Sequence, residues 1–109
     1  MISGRLAYGG NAMSFVQIIE FKTHDVGPMR ATNDSWAKAT EGKRTATHRM
    51  LARDHNDPDR YYALVFFDSY ESAMKNSDLP ETQAAARAYA QLAEGPPQFR
   101  DLDVIEEIE

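Results

Sequence analysis

The chain has no cysteine, and that absence removes disulfides, thiolate metal sites, iron–sulfur clusters and a cysteine nucleophile. Such a composition suits a reducing compartment, so a cytoplasmic location is expected. Basic residues are also scarce, with twelve Lys and Arg against seventeen Asp and Glu and a formal net charge of -5. They are scattered rather than gathered on one periodic face, which argues against a nucleic-acid partner held through its phosphates. No apolar run approaches the roughly 20 residues of a membrane span, and the first residues lack the charged-then-apolar pattern of an export signal. No membrane partner is expected. Histidine is limited to three positions and tryptophan to one, so a site that needs an imidazole or an indole has few places to be.

What is present is the pattern of one domain. The 109 residues suffice to bury roughly two thirds of the unfolded surface. Met1 to Ala12, with Gly4 and Gly9-Gly10-Asn11, has no sustained period and is expected to be a mobile leader over residues 1–12, ahead of a domain over 13–109. Phe15 to Phe21 is rich in branched and aromatic residues and reads as a first strand. Val26, Met29, Trp36 and Thr40, with Asn33 between, recur at three and four. That spacing predicts a helix from about Gly27 to Glu41, with Pro28 in its first turn and Gly42 as its cap. Arg44 to Arg53 and Arg60 to Phe67 read as a hairpin across the polar turn His55-Asn56-Asp57-Pro58-Asp59.

Asp68 with Glu71, and Asp78 with Glu81, are candidate acidic N-caps for a short helix, Ser69 to about Asn76, and a longer one, about Pro80 to Glu94. Thr82, Ala85, Ala86 and Tyr89 share a stripe of the longer helix. Gly95 before Pro96-Pro97 ends it. Phe99 to Ile108 then closes the chain as a fourth strand. The order β-α-β-β-α-β is the split βαβ or ferredoxin-like α+β fold, with a four-stranded antiparallel sheet.

Both faces of that sheet are apolar. In the first strand Phe15, Ile19 and Phe21 point one way and Val16 and Ile18 the other; in the third, Tyr61, Ala63, Val65 and Phe67 oppose Tyr62, Leu64 and Phe66. Helices on one side cover only one of these faces. Leaving the other wet forgoes roughly 1.5 to 3 kcal/mol for each large side chain, a serious loss for a small domain. A second copy of the chain is the natural cover, since a two-fold axis lets one apolar patch satisfy itself. A homodimer through the sheet face is therefore expected.

With the elements in this order, residues 14–107 resemble the dimeric α+β barrel superfamily. The likeness is most specific over Phe66 to Ser77 (FFDSYESAMKNS), Leu79-Pro80-Glu81-Thr82 and Gly95-Pro96-Pro97-Gln98-Phe99. Within the superfamily the chain is similar to small actinobacterial antibiotic biosynthesis monooxygenase-like proteins. The resemblance implies that two sheets pair as a dimeric α+β barrel, with a small-molecule pocket in each protomer between sheet and helices. It also implies oxidation of aromatic polyketides, or breakdown of haem, with no metal or flavin cofactor of the protein's own. Haem-degrading relatives use an Asn on the first strand and a Trp and a His in the later helical region; here that strand has no Asn and residues 70–94 contain neither. Polyketide-oxidising relatives place an Asn late in the third strand and a Trp at the start of the next helix, where this chain has Phe66 and Tyr70. Asn76 resembles a further polar residue of that group.

Cofactor-free oxygenation needs a substrate held as its anion, donors aimed at the charged oxygen, and a water-poor cavity. Asn33 and Trp36, three apart on one helix, are candidate catalytic donors together with Asn76, and His48, mid-strand in Thr47-His48-Arg49, is the candidate base. Tyr62, Phe66, Asn76 and Tyr89 are candidate ligand-binding residues for a small aromatic ligand. Plainer alternatives stand beside these: Trp36 as core, Asn33 in a polar gap, His48 at a surface or interface. Arg49 and Arg53 share one side of the second strand, where they either clamp a carboxylate or lie solvated on an edge. His24-Asp25 and His55-Asn56-Asp57 hold metal-ligand types in loops without ligand spacing, so no metal is expected. Two functions remain open: a small-molecule enzyme of the cofactor-independent monooxygenase kind, or a non-catalytic dimeric module that binds an apolar metabolite or is merely packed core. A cavity touching His48 and Trp36 favours the enzyme or the binder over solid packing.

Overall fold

Alternation of inward and outward residues sets the sheet, and the computed structural model, which describes residues 14–108, follows it closely. The elements are β1 (Ser14–Lys22), α1 (Gly27–Ala39), β2 (His48–Asp54), β3 (Asp57–Phe67), α2 (Tyr70–Ser77), α3 (Pro80–Leu92) and β4 (Gln98–Val104). Four strands form one sheet in the order β2-β3-β1-β4, every neighbouring pair antiparallel. The three helices and the ferredoxin-like order agree with the expected fold; the expected leader lies outside the described residues. Among the described residues no helix is long and apolar enough to cross a membrane.

Pairing of Phe15 with Phe67, Gln17 with Val65, Ile19 with Ala63 and Phe21 with Tyr61 puts these residues on one face. That face meets the helices. Among the described residues its core falls into two clusters rather than one. Phe15, Val65, Phe67 and Ala73 gather at one end, and Phe21, Met29, Tyr61 and Tyr89 at the other. Phe21 and Tyr61 are stacked, while the Tyr89 ring meets Phe21 edge-on at 5.3 Å between centroids. The opposite face carries Val16, Ile18, Tyr62, Leu64 and Phe66, flanked by Met50 and Leu102, which are 43% and 42% exposed. Its apolar centre is bordered by a charged corner where Glu20 pairs with Arg60 and Arg100.

Several boundaries differ from the sequence expectation, each for a local reason. The second strand begins at His48 rather than Arg44, because residues 44 and 45 bond to helices instead of to β3. Arg44 donates to the Ala37 carbonyl, Thr45 Oγ1 donates to the Ser72 carbonyl, and Thr45 N–H donates to Asn76 Oδ1. The β2–β3 turn is only His55-Asn56, with Asp54 opposite Asp57. Pro58 is accommodated by a break in the register next to Asp54, so β3 starts at Asp57 despite a residue with no N–H to give. Helix α1 stops at Ala39, and Gly42 takes φ +80 as Lys43 and Arg44 N–H groups both return to the Thr40 carbonyl. Helix α3 ends at Leu92, with Gly95 at φ +78 turning the chain into β4, which ends at Val104.

Neither acidic cap forms. Ser69, not Asp68, caps α2: its Oγ accepts the Ser72 N–H at 3.0 Å from an extended backbone. Asp78 closes α2 instead of opening α3, whose N-cap is Leu79 with no side-chain bond. Ser69→Ala is accordingly expected to lower stability by about 1 kcal/mol, and Asp68→Ala by less than about 0.5 kcal/mol. Urea unfolding of the two variants checks this, and the reverse ranking would return the cap to Asp68.

Candidate functional site

The gap between the two core clusters is where the chain places polar residues on the helix-facing side of the sheet. Gln17 occupies the inward position between Phe15 and Ile19, and Arg49 stands opposite Val65. Above them α3 presents Thr82, Ala85 and Ala86, side chains too small to reach the sheet. A cavity of about 180 Å³ results. Its floor is Gln17, Ile19, Val65 and Arg49; its roof is Asn33 and Trp36 of α1 with Ala85 and Tyr89 of α3. Asn76 and Ser77, at the end of α2, form one wall. Gln83, Ala86 and Phe99 are exposed and mark the mouth, between α3 and the edge strand β4.

Polar atoms around the cavity are held by one another. Arg49 Nη2 donates to Tyr89 Oη at 2.8 Å, and the Tyr89 hydroxyl donates to Asn33 Oδ1. This chain of bonds links β2, α3 and α1 and leaves the Asn33 amide N–H groups as donors. Trp36 Nε1 donates to Thr82 Oγ1 at 2.9 Å, so its indole N–H is committed to the α1–α3 pairing. The indole face is flanked by two guanidinium groups, Arg44 at 5.6 Å and Arg49 at 6.0 Å from the ring centroid. Asn76 is buried, and its Oδ1 accepts from Thr45 N–H, which leaves its Nδ2 as the donor end of the amide.

Candidate residues thus separate into two groups. Asn33, Trp36, Asn76 and Tyr89 come together around the cavity. His48, Tyr62 and Phe66 stand on the other face of the sheet. His48 pairs with Phe66, its ring 5.7 Å from that ring, and Tyr62 lies across from Glu20. That cavity touches Trp36 without being lined by His48, whereas a second, more open concavity beside Arg44 and Arg49 is lined by both; Tyr61 rather than Tyr62 is the tyrosine turned toward the helices. Arg49 corrects the picture of a solvated edge residue: it points inward beside Trp36. Its signal was Leu51, two positions on and necessarily on the same face. Of the loop histidines, His24 places its ring nitrogens 2.9 Å from Asp59 and 3.2 Å from Glu94, tying the corner after β1. Among the described residues no three His, Asp or Glu side chains form a metal-binding group.

Comparison with known proteins comes from shape alone, since no family model and no curated protein matches the sequence. A candidate antibiotic biosynthesis monooxygenase from Caulobacter crescentus aligns with a TM-score of 0.73 and 15% identity, over 87% of this chain and 92% of that one. One from Nitrosomonas europaea gives 0.72 and 9%, over 88% and 94%. SnoaB, a cofactor-independent oxygenase from Streptomyces nogalater, gives 0.71 and 12%, over 85% and 94%. The fold is that of the antibiotic biosynthesis monooxygenase structures. On that shared fold, this chain supplies its own polar set between sheet and helices.

The start of α3 is pinned beside the cavity by Lys43, whose Nζ donates to Glu81 Oε2 at 2.6 Å. That bond, with the N–H of Glu81 itself, holds the Glu81 carboxyl below the usual carboxylate range. A lowered folded-state value means that the stabilisation is full above the unfolded value of about 4.3 and is lost as pH falls through the lowered one. Glu81→Gln is expected to cost stability at neutral pH and progressively less as pH drops through the acid range, with the difference reduced by salt. Chemical denaturation of both proteins across that range tests it; a pH-independent difference would contradict the assignment.

Proposed function

We propose that the protein is a small-molecule enzyme of the cofactor-independent oxygenase kind, acting on an aromatic substrate held as its anion in the cavity between sheet and helices. One observation carries this reading: the cavity has apolar and aromatic walls, and among the described residues its polar lining consists of donors or neutral groups around Arg49, with no carboxylate. Such a lining favours negative charge on the ligand. Asn33 and Asn76 are the proposed oxyanion donors, Tyr89 sets the orientation of Asn33, and Trp36 supplies a stacking wall. The likeness to the oxygenase structures adds to the same reading.

In an oxygenation of this class the substrate anion is itself the reductant. A CH2 carbon conjugated with the anionic oxygen becomes a carbonyl, one atom of O2 entering the substrate and the other leaving as water. Among the described residues the lining holds no imidazole or carboxylate to remove a proton, so the substrate is best one that ionises by itself near neutral pH. The same lack favours, as a second reading, a binding module that holds an anionic metabolite without turning it over. A panel of hydroxylated fused-ring aromatics separates the two. Raised melting temperature with oxygen uptake in the absence of added metal or flavin is the expected result. A raised melting temperature alone supports the binder, and neither effect from any compound removes the proposal.

For the open face we propose a second copy of the chain, sheet to sheet, as the cover, which places His48, Tyr62 and Phe66 in the interface. The apolar centre bounded by Glu20, Arg60 and Arg100 supports this. The absence of cysteine favours work in a reducing cytoplasm. Light scattering after size exclusion is expected to give twice the chain mass, and Leu64→Lys to shift it to the single mass. A wild type that stays single at tens of micromolar would rule the pairing out.

A further inference from the structure

Arg49 is a half-buried cation with no counter-ion among the described residues. Among the described residues no Asp or Glu forms a salt bridge with it, whereas Arg60, Arg100, Lys22 and Lys43 each have a carboxylate partner. Its one hydrogen bond, from Nη2 to the Tyr89 hydroxyl, leaves the remaining guanidinium N–H groups unused by the described residues. Among the described residues it is also the only charged one on the cavity lining, in a chain whose net charge is -5. A partly desolvated charge without a close carboxylate is costly.

From this we infer that Arg49 is a specificity-determining residue that selects aromatic carboxylates, molecules that bring the missing counter-charge into the cavity. The inference rests on the proposed ligand-binding role of that cavity and adds that the ligand carries a carboxylate, in an oxygenase substrate beside the ionisable ring oxygen that the oxidation needs. Guanidinium presents a planar fork that matches the two oxygens of a carboxylate, a match that a single phenolate oxygen does not offer. Tyr89 fixes one arm of the fork and the Trp36 face limits its tilt, so the group is already oriented when a ligand arrives. Asn33 lies at the far end of the same bonded chain with its amide donors available for a carboxylate oxygen. The walls of Ile19, Val65 and Ala85 take an apolar body. A cavity of about 180 Å³ has room for one aromatic ring. Phe99, 56% exposed at the mouth, gives a second fused ring a surface to lie on.

The test is a matched pair, naphthalene-2-carboxylate and naphthalene-2-carboxamide, which are similar in shape and differ in charge. Each is titrated into wild-type, Arg49→Gln and Arg49→Lys protein at neutral pH, with binding read from backbone amide shifts in NMR spectra. Wild type is expected to bind the carboxylate about tenfold more tightly than the amide, the factor of one charge-assisted hydrogen bond. Arg49→Gln is expected to erase that preference by weakening the carboxylate while the carboxamide stays within about twofold. Arg49→Lys, which keeps charge but not the fork, is expected to fall between. Should Arg49→Gln lose its dispersed spectrum, the wild-type pair and Arg49→Lys decide the matter.

Equal affinity of wild type for the two ligands overturns the inference and leaves the binding cavity standing. A carboxylate preference that survives in folded Arg49→Gln overturns it as well. If neither compound moves any amide of the wild type, the cavity reading falls and the selectivity falls with it.

Discussion

The middle of this molecule is held open by the need of half-buried polar groups for partners. Gln17 and Arg49 sit where an apolar side chain would have joined the two core clusters into one, and neither can be left bare among apolar atoms. Arg49 is met by the phenol of Tyr89, which is met in turn by Asn33; Gln17 reaches sideways to Asp101 at 3.2 Å. These bonds use the space between sheet and helices for hydrogen-bonding geometry rather than for close packing. Helices α1 and α3 accordingly pair with each other over the sheet, joined by Trp36 and Thr82.

Tyr89 belongs to both sides of this arrangement. Its ring is part of the cluster around Phe21, Met29 and Tyr61, and its hydroxyl is the centre of the polar chain. Folding of one end of the core therefore sets the position of a group on the cavity wall. Asn76 is fixed in a comparable way from outside the lining, since Thr45 binds both its amide oxygen and the Ser72 carbonyl. Donor placement is thus determined by elements that are rigid for reasons of their own.

Much of the architecture was legible in the chain because strand alternation and the glycine and proline stops are short-range signals. Phe15 to Phe21 and Arg60 to Phe67 show their period in a handful of residues, and Gly42 and Gly95 take the positive φ that their positions suggested. Helix starts were read less well. Asp68 and Ser69 are both good caps, and the choice between them depends on where the strand releases the chain. The face of the sheet that meets the helices was the larger gap. Both sets of β1 and β3 residues are apolar, so nothing local distinguishes Phe15, Phe21 and Val65 from Val16, Ile18 and Leu64. That one binary choice decides whether His48 or Arg49 looks into the cavity. Asn33, Trp36 and Tyr89 were found because a helix has only one stripe to turn inward; a strand with two greasy sides gives no such guidance.

The division of the core into two clusters has a consequence for how such a protein changes over time. Phe15, Val65, Phe67 and Ala73 at one end, and Phe21, Met29 and Tyr61 at the other, carry the apolar packing, and most of the chamber's walls are drawn from neither set. Residues such as Gln83, Ala86 and Phe99, exposed at the mouth, can be exchanged without emptying a packed site. A scaffold arranged like this separates the requirement to stay folded from the requirement to recognise, so its guest can be replaced by drift at a few tolerant positions while the frame persists.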